Sequence, residues 1–592
     1  MRRSLTTLAI LAIVLGSTIA VRQSAAAGGG SPVLQSLALV GSGGFVTAPE
    51  GSDDPSIDEF APASDVDQLV PRTGTNLARV PADHVPTPAG NAVAASNPGA
   101  TGFNGISHKD QRRADNGNAF SLEPPDQALC VGGGVVLESV NLAVRAFSTT
   151  GAPLTATQSL NTFFGLSPAI MRPPNPLSFG TFLSDPKCYF DPSQSRWYLT
   201  VLGIDRVPST GAFTGKTEVF IAVSKTGSPV TGGWFIYKLD TTDDGTNGTP
   251  SHNGCPCLGD QPLIGADATG FYVSTNEFPL FVNGFNGAEV YAMSKAALAA
   301  GTLPTVVHFH EPTLAEGFAY SVQPATTPPG GTYASGNGGT EYFLSALDFN
   351  GTLDDRIAVW AMTNTSSLTK KNPSVALTNA VIDSEVYGQP PDAQQRPGAT
   401  PLGDLVNGKL EFLAGNDDRM NQTVWAAGQL WSGVNTVVKT PNGPTRVGIA
   451  WFAVTPSVSS SGQAGGTVSQ QGYVSVNQES VLFPSIGVNA SGGAVMTFTL
   501  VGPDFYPSAG YTVIGANGAG DVHILGAGAG PEDGFTGYPA FNPSFSRTAR
   551  WGDYSAAVAA ADGSIWTAVE YIPNAPRTVN ANWGTFVGNV VP

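Results

Sequence analysis

One hairpin pattern, repeated along the chain, limits what this sequence can fold into. Near the C-terminus Asp553 opens an apolar stretch, and Gly563 closes an Ala-Asp-Gly turn ten residues later. Glu570 stands seven residues beyond that glycine, at the end of IWTAVEY. The same spacing links Asp260, Gly270 and Glu277. A third copy runs from Asp185 to Ser195 and Leu202, and a fourth, two residues shorter, from Asp126 to Gly134 and Asn141. Alternating apolar residues on both sides of a tight turn predict an antiparallel hairpin in each copy.

Weaker copies follow Gln323, Pro397 and Phe483-Pro484, so openings fall near 126, 185, 260, 323, 397, 484 and 553, a step of about 70 residues. Third and fourth strands are legible between them, as in TEVFIAVSK, GWFIYKL, AEVYAMSK, RIAVWAMT and GIAWFAVT. NWGTFVGNVV is expected to close the last copy. With 72 Gly, 46 Pro, 12% charged residues and no sustained helical period, the chain reads as all-β. Four-stranded repeats at this period predict a seven-bladed β-propeller over residues 103–592. Residues 1–27 have the charged, apolar and small-residue parts of a secretory signal. Residues 28–102, rich in Ala, Gly, Pro and Ser, are expected to form a disordered linker, and Phe103 to Asn118 an irregular lead-in.

The segments PPDQALCVGGGVVLESVN, SDPKCYFDPSQSRWYLT and RWGDYSAAVAAADGSIWTAVEY resemble those of a group of secreted bacterial β-propeller proteins, largely uncharacterised. More distantly they are similar to the sialidase-like (BNR-repeat) superfamily. The resemblance implies a propeller and, through the superfamily, work on extracellular carbohydrate. The three-arginine clamp of sialidases has no counterpart, because Arg206, Arg356 and Arg419 match no clamp motif.

The address and charge narrow the partners. A formal net charge of −17 disfavours nucleic acid, whose binding needs clustered Lys and Arg. No second segment is long and apolar enough to span a membrane, so a secreted or cell-surface monomer is expected, with a glycan or another extracellular ligand as partner. Four cysteines in an exported chain predict two disulfides. Cys255 and Cys257 stand too close to suit one another, so each is expected to reach one of Cys130 and Cys188.

In a propeller the opening of the first strand and the end of the second meet at one face. The repeat therefore gathers Asp126, Asp185, Asp260 and Asp553 on one rim, with Asn141, Glu277 and Glu570 beside them. Two chemistries follow. Asp126, Asp185, Asp260 and Asp553 are oxygen ligands suited to calcium. Alternatively, Asp553 with Glu570, or Asp260 with Glu277, would supply the acid and the base or nucleophile of a glycoside hydrolase or polysaccharide lyase. Arg550, Trp551, Tyr554 and Asn141 are the neighbours placed to touch substrate. The structural alternative is that the aspartates accept backbone N–H bonds and hold the repeats in register, with Trp197, Trp551, Trp566 and Tyr554 as core. His308 and His310, in His308-Phe309-His310-Glu311, put two imidazoles on one face of a strand but lack a third ligand in the sequence, and the Asp240–Asn247 loop lacks EF-hand spacing, so an exposed edge and a polar turn are expected.

Overall fold

Runs in which every second residue is Val, Ile, Leu, Phe or Tyr, broken by Gly and Pro, leave strands as the way to bury apolar surface. The computed structural model describes residues 32–52, 84–172, 175–347, 353–441, 443–541 and 547–592. Among these the chain is all-β, with a few short helices. The strands form consecutive antiparallel meanders over residues 128–159, 182–240, 257–309, 323–387, 423–474, 480–526 and 556–590. Each begins with a hairpin: Cys257–Ala266 with Gly270–Pro279, for example, pairs Ala266 with Phe271, and Ala556–Ala559 with Ile565–Tyr571 pairs Ala559 with Ile565.

The first strand of each meander lies against the first strand of the next, and Ala556–Ala559 lies against Ala128–Gly132, which closes the circuit. The core sits between neighbouring sheets. Leu137, Val144 and Cys130 pack against Leu183, Trp197 and Phe220. At the junction of the last and first sheets, Trp566 and Ala568 pack against Leu129, Val131 and Val136. Such sheets are apolar on both faces, which is why the second strand Gly270–Pro279 is buried at every position.

The outer edges are where the sequence reading needs correction. Parts of the expected disordered linker are paired strands. Val33–Ser36 pairs with Thr305–Phe309, and Ala38–Gly43 with Trp234–Asp240. Asn91 and Val93 bridge to Val476 and Val522. Ala100–Ser107 is the fourth strand of the last meander, pairing with Gly584–Val590, so position 103 lies inside a strand rather than at a boundary. Each covers only a sheet edge, so Leu34, Leu39 and Val40 stay exposed and no alternation of buried and exposed residues marks the strands. The lead-in is also more regular than expected. Ser107 caps the helix His108–Gly117, kinked at Ala114–Asn116, in a reciprocal box with Asp110. The signal segment lies outside the described residues, and no helix among the described residues is long and apolar enough to cross a membrane.

The copy assigned to Pro397 is displaced. The hairpin after the fourth meander is Thr423–Ala426 with Gln429–Lys439, turning at Ala427-Gly428. Residues 389–422 are an insertion, holding the helix Pro401–Val406 and a short strand, Phe412–Leu413, that pairs with Thr548–Ala549. The disulfides also differ from expectation. Cys130 pairs with Cys188, and Cys255 with Cys257. Around Pro256 the chain folds back until the two Cα atoms are 4.4 Å apart, inside the range a disulfide spans, which a count of residues does not reveal.

Candidate functional site

Where the first strands open, the backbone leaves regular strand geometry. Asp126 and Asp185 have φ of 47° and 53°, and the ladder shifts register between Ser184 and Lys187 and again between Asp260 and Leu263. A bulge re-aims the side chain it carries. Here one carboxylate oxygen each of Asp126, Asp185 and Asp553 come within 4.8 Å of one another. Three of the four repeated aspartates thus converge. Asp260 is outside that set; burial and the charges of Asp185 and Asp553 raise its carboxyl well above the ordinary range, with Arg419 opposing.

Asp126 accepts the Asp553 N–H at 2.8 Å and the Asn141 amide at 2.6 Å. Asn141 in turn accepts the Asp185 N–H at 2.8 Å. Asp553 accepts from Asn416 at 2.9 Å and meets the Arg550 guanidinium at 3.4 Å. Lys187, two residues beyond the repeat aspartate, holds its ammonium over the Tyr554 ring. Burial pushes the lysine well below its ordinary range, while Asp126, Asp185 and Asp553 pull it back. Burial and the charge of Asp553 raise the Asp185 carboxyl to about 7, with Lys187 opposing. Asp126 is raised well above the ordinary range by burial and by Asp553 and Asp185.

The two glutamates of the repeat differ in their surroundings. Glu570 is buried, accepts the Gly552 N–H at 2.7 Å, and sits in the field of Glu123, Asp553 and Arg550, with Glu532 nearby. Glu277 lies with Asp243, His252 and Glu289, opposite Gly259 and one register step from Asp260, which stands opposite Asn276. Asp260 and Glu277 are therefore not cross-strand partners, whereas Asp553 and Glu570 stay within each other's field. Trp551 is buried with its indole N–H on Thr499 at 3.1 Å, and Trp197 and Trp566 are also core. Tyr554 donates to the Pro186 carbonyl at 3.0 Å. Arg356 is tied to Asp354 and Glu316, and Arg419 to Asp417 and Gln261.

Lys187, Glu123, Glu532, His252 and Glu289 were not singled out from the sequence. The signal for Lys187 was a lysine two residues after a repeat aspartate, in the Asp-Pro-Lys of the second copy. His252 and Glu289 carry no such pattern, since a loop and a third strand bring them in.

No protein-family model matches the chain, and no curated protein matches it in sequence. Among solved structures it is similar to Trypanosoma rangeli sialidase bound to sialic acid, at 10% identity and a TM-score of 0.32, over 78% of this chain and 59% of that one. It is also similar to a protein of unknown function from Dyadobacter fermentans, at 10% identity and 0.32, over 69% and 95%. An α-L-arabinanase mutant from Cellvibrio cellulosa gives 9% identity and 0.27, over 68% and 95%. At such scores nothing about activity follows.

Proposed function

We propose that the chain is a secreted seven-bladed β-propeller of the sialidase-like kind that acts on extracellular carbohydrate through Asp126, Asp185 and Asp553. The closed circuit of first strands supports the propeller, and the two disulfides fit an oxidising compartment. The observation that carries the reading is the convergence of three carboxylates within 4.8 Å around a carboxyl raised to about 7. Cleaving a glycosidic bond requires one carboxyl that holds a proton near neutral pH and a second that works as an anion. Asp185 takes the first role. Asp553, which Asn416 and Arg550 supply with donors, takes the second, and 12% of its side chain is open to solvent.

A calcium-organised adhesion or binding propeller is the alternative built on the same oxygens. The donor set fits it poorly. Both oxygens of Asp126 and both of Asp553 already accept hydrogen bonds. No step of the reaction is assigned to a metal.

The test is thermal unfolding of the full mature chain with calcium, with chelator and with a panel of neutral and acidic oligosaccharides, followed by chromatography of the glycans. A ligand that binds only the folded state raises the midpoint. A shift with one glycan, and products that vanish in Asp185→Asn while the fold persists, is the expected result. Binding without products makes this a recognition module, and a shift with calcium alone favours the alternative. No response to any ligand leaves the three carboxylates with a structural role.

A further inference from the structure

A second polar group lies apart from the axial carboxylates, between the loop that follows Trp234–Asp240 and the sheet of residues 257–309. Asp243 comes from that loop, in a left-handed backbone position, and His252 from its second half. Glu277 ends the second strand, and Glu289 stands near the start of the third. One ligand atom from each of these four residues lies within 4.8 Å of the others. His252 Nδ1 is 2.9 Å from Glu277 Oε1, 3.8 Å from Glu289 Oε1 and 4.0 Å from Asp243 Oδ2.

Three features set the group apart from an ordinary polar cluster. The side chains of Asp243, Glu277 and Glu289 are at most 1% exposed, yet both oxygens of Asp243 and Oε2 of Glu277 accept no hydrogen bond from an N–H or hydroxyl group, and Asp243 meets the carboxyl of Glu277 instead. A buried carboxylate oxygen without a donor is costly. Among the described residues no lysine or arginine pairs with any of the three. The surroundings also orient the donors. His308 Nε2 is 2.6 Å from Glu289 Oε2, the Asn286 amide donates to Glu277 Oε1 at 2.7 Å, and the Glu311 N–H donates to Glu289 Oε1 at 3.0 Å. Such partners fix a ligand's orientation around a metal.

We propose that Asp243, His252, Glu277 and Glu289 form a binding site for a divalent first-row transition ion, zinc foremost. One imidazole with three carboxylates suits zinc or manganese, whereas an imidazole is a poor ligand for calcium. His310, whose Nδ1 is 3.3 Å from His252 Nε2, and Glu311 stand on the more open side and mark the way in. With the Cys255–Cys257 disulfide closed, the neighbouring sulfurs are outside the donor set.

The test uses the full mature chain, unreduced, stripped with chelator and then titrated with zinc chloride, with calcium chloride as control. About one equivalent of zinc is expected to bind and to raise the unfolding midpoint, with calcium inert. His252→Gln and Asp243→Asn, checked for fold by circular dichroism, are expected to weaken zinc binding about tenfold or more. Absence of bound zinc on the wild-type chain, or unchanged affinity in both variants, overturns the site. Should the variants not fold, X-ray absorption of the cobalt(II)-loaded wild type decides. A shell of imidazole nitrogen and carboxylate oxygens supports the site; a sulfur or an all-oxygen shell overturns it.

Discussion

The Asp553 N–H donates to the Asp126 carboxylate at 2.8 Å and so joins residues 427 apart in the chain. The contact belongs to a recurring device. The backbone N–H of Asp185 donates to Asn141 at 2.8 Å, that of Ser321 to Asn276 at 2.7 Å, and that of Phe483 to Asn435 at 2.7 Å. Each of these three N–H groups belongs to a residue of positive φ at the opening of the next first strand. A bulged backbone has an N–H outside the ladder, and a polar side chain from the preceding sheet satisfies it. The register between sheets is thereby specified by hydrogen bonds as well as by packing.

Asn276→Ala and Asn435→Ala are therefore expected to destabilise the chain, each by about 1–3 kcal/mol, since each strands a buried N–H. Urea denaturation at neutral pH measures this. A loss near zero at both positions would mean that packing alone sets the register.

Stability is expected to fall as pH rises. Burial lifts the Glu385 carboxyl to about 8, against the pull of the Gly472 and Trp451 backbone N–H groups. Glu123, Glu138 and Glu479 are lifted to about 7, again chiefly by burial. An acid whose pKa is raised by folding holds its proton more tightly in the folded state. Its contribution is complete below the ordinary carboxylate range, about 4, and is lost as pH rises through about 7 to 8. The unfolding midpoint should drop between about pH 5 and pH 9, and Glu385→Gln should flatten that slope.

The N-terminal strand should be indispensable. Glu138 accepts the Ile106 N–H at 2.9 Å and the Thr585 hydroxyl, and a Cβ at Gly105 would overlap its carboxylate. Ala100–Ser107 is thus clasped to both the first and the last sheet. A chain beginning at residue 108 is expected to leave Gly584–Val590 as an open edge and to aggregate, whereas one beginning at residue 98 keeps the strand. Light scattering of the two chains distinguishes these outcomes.

The two disulfides should differ in weight. Cys130–Cys188 closes a loop of sequence separation 58, and chain entropy predicts a loss of about 4 kcal/mol when it is removed. Cys255–Cys257 has a separation of 2 and restricts the unfolded chain far less. Thermal unfolding of the paired Cys→Ser variants, with peptide mapping of the unreduced chain, checks both the ranking and the pairing.

At the axial group, Lys187→Met removes the group whose charge opposes the rise of the Asp185 carboxyl. A loss of stability is expected at neutral pH, with the Asp185 carboxyl raised further. Adding Asp185→Asn should restore part of it, and a double-mutant cycle reads the coupling. Independent, additive effects would show that Lys187 and Asp185 do not interact.

Much of this molecule follows from local pattern. Alternation around Gly563 and Gly270, with turn glycines at a fixed distance from Asp553 and Asp260, determined hairpins, their order and the all-β class, because strand pairing across a tight turn is a local matter. The convergence of Asp126, Asp185 and Asp553 was also legible, since equal spacing puts equivalent side chains at equivalent places. Tertiary structure decided the rest. Whether Glu277 stands opposite Asp260 depends on the bulge between Asp260 and Leu263, which sets it opposite Gly259 instead. The partners of Glu277 come from a loop after the preceding sheet, and the fourth strand of the last sheet comes from the chain's other end. Spacing within a repeat cannot encode such contacts, because they are fixed where separate repeats pack together and where unpaired edges find the nearest free strand.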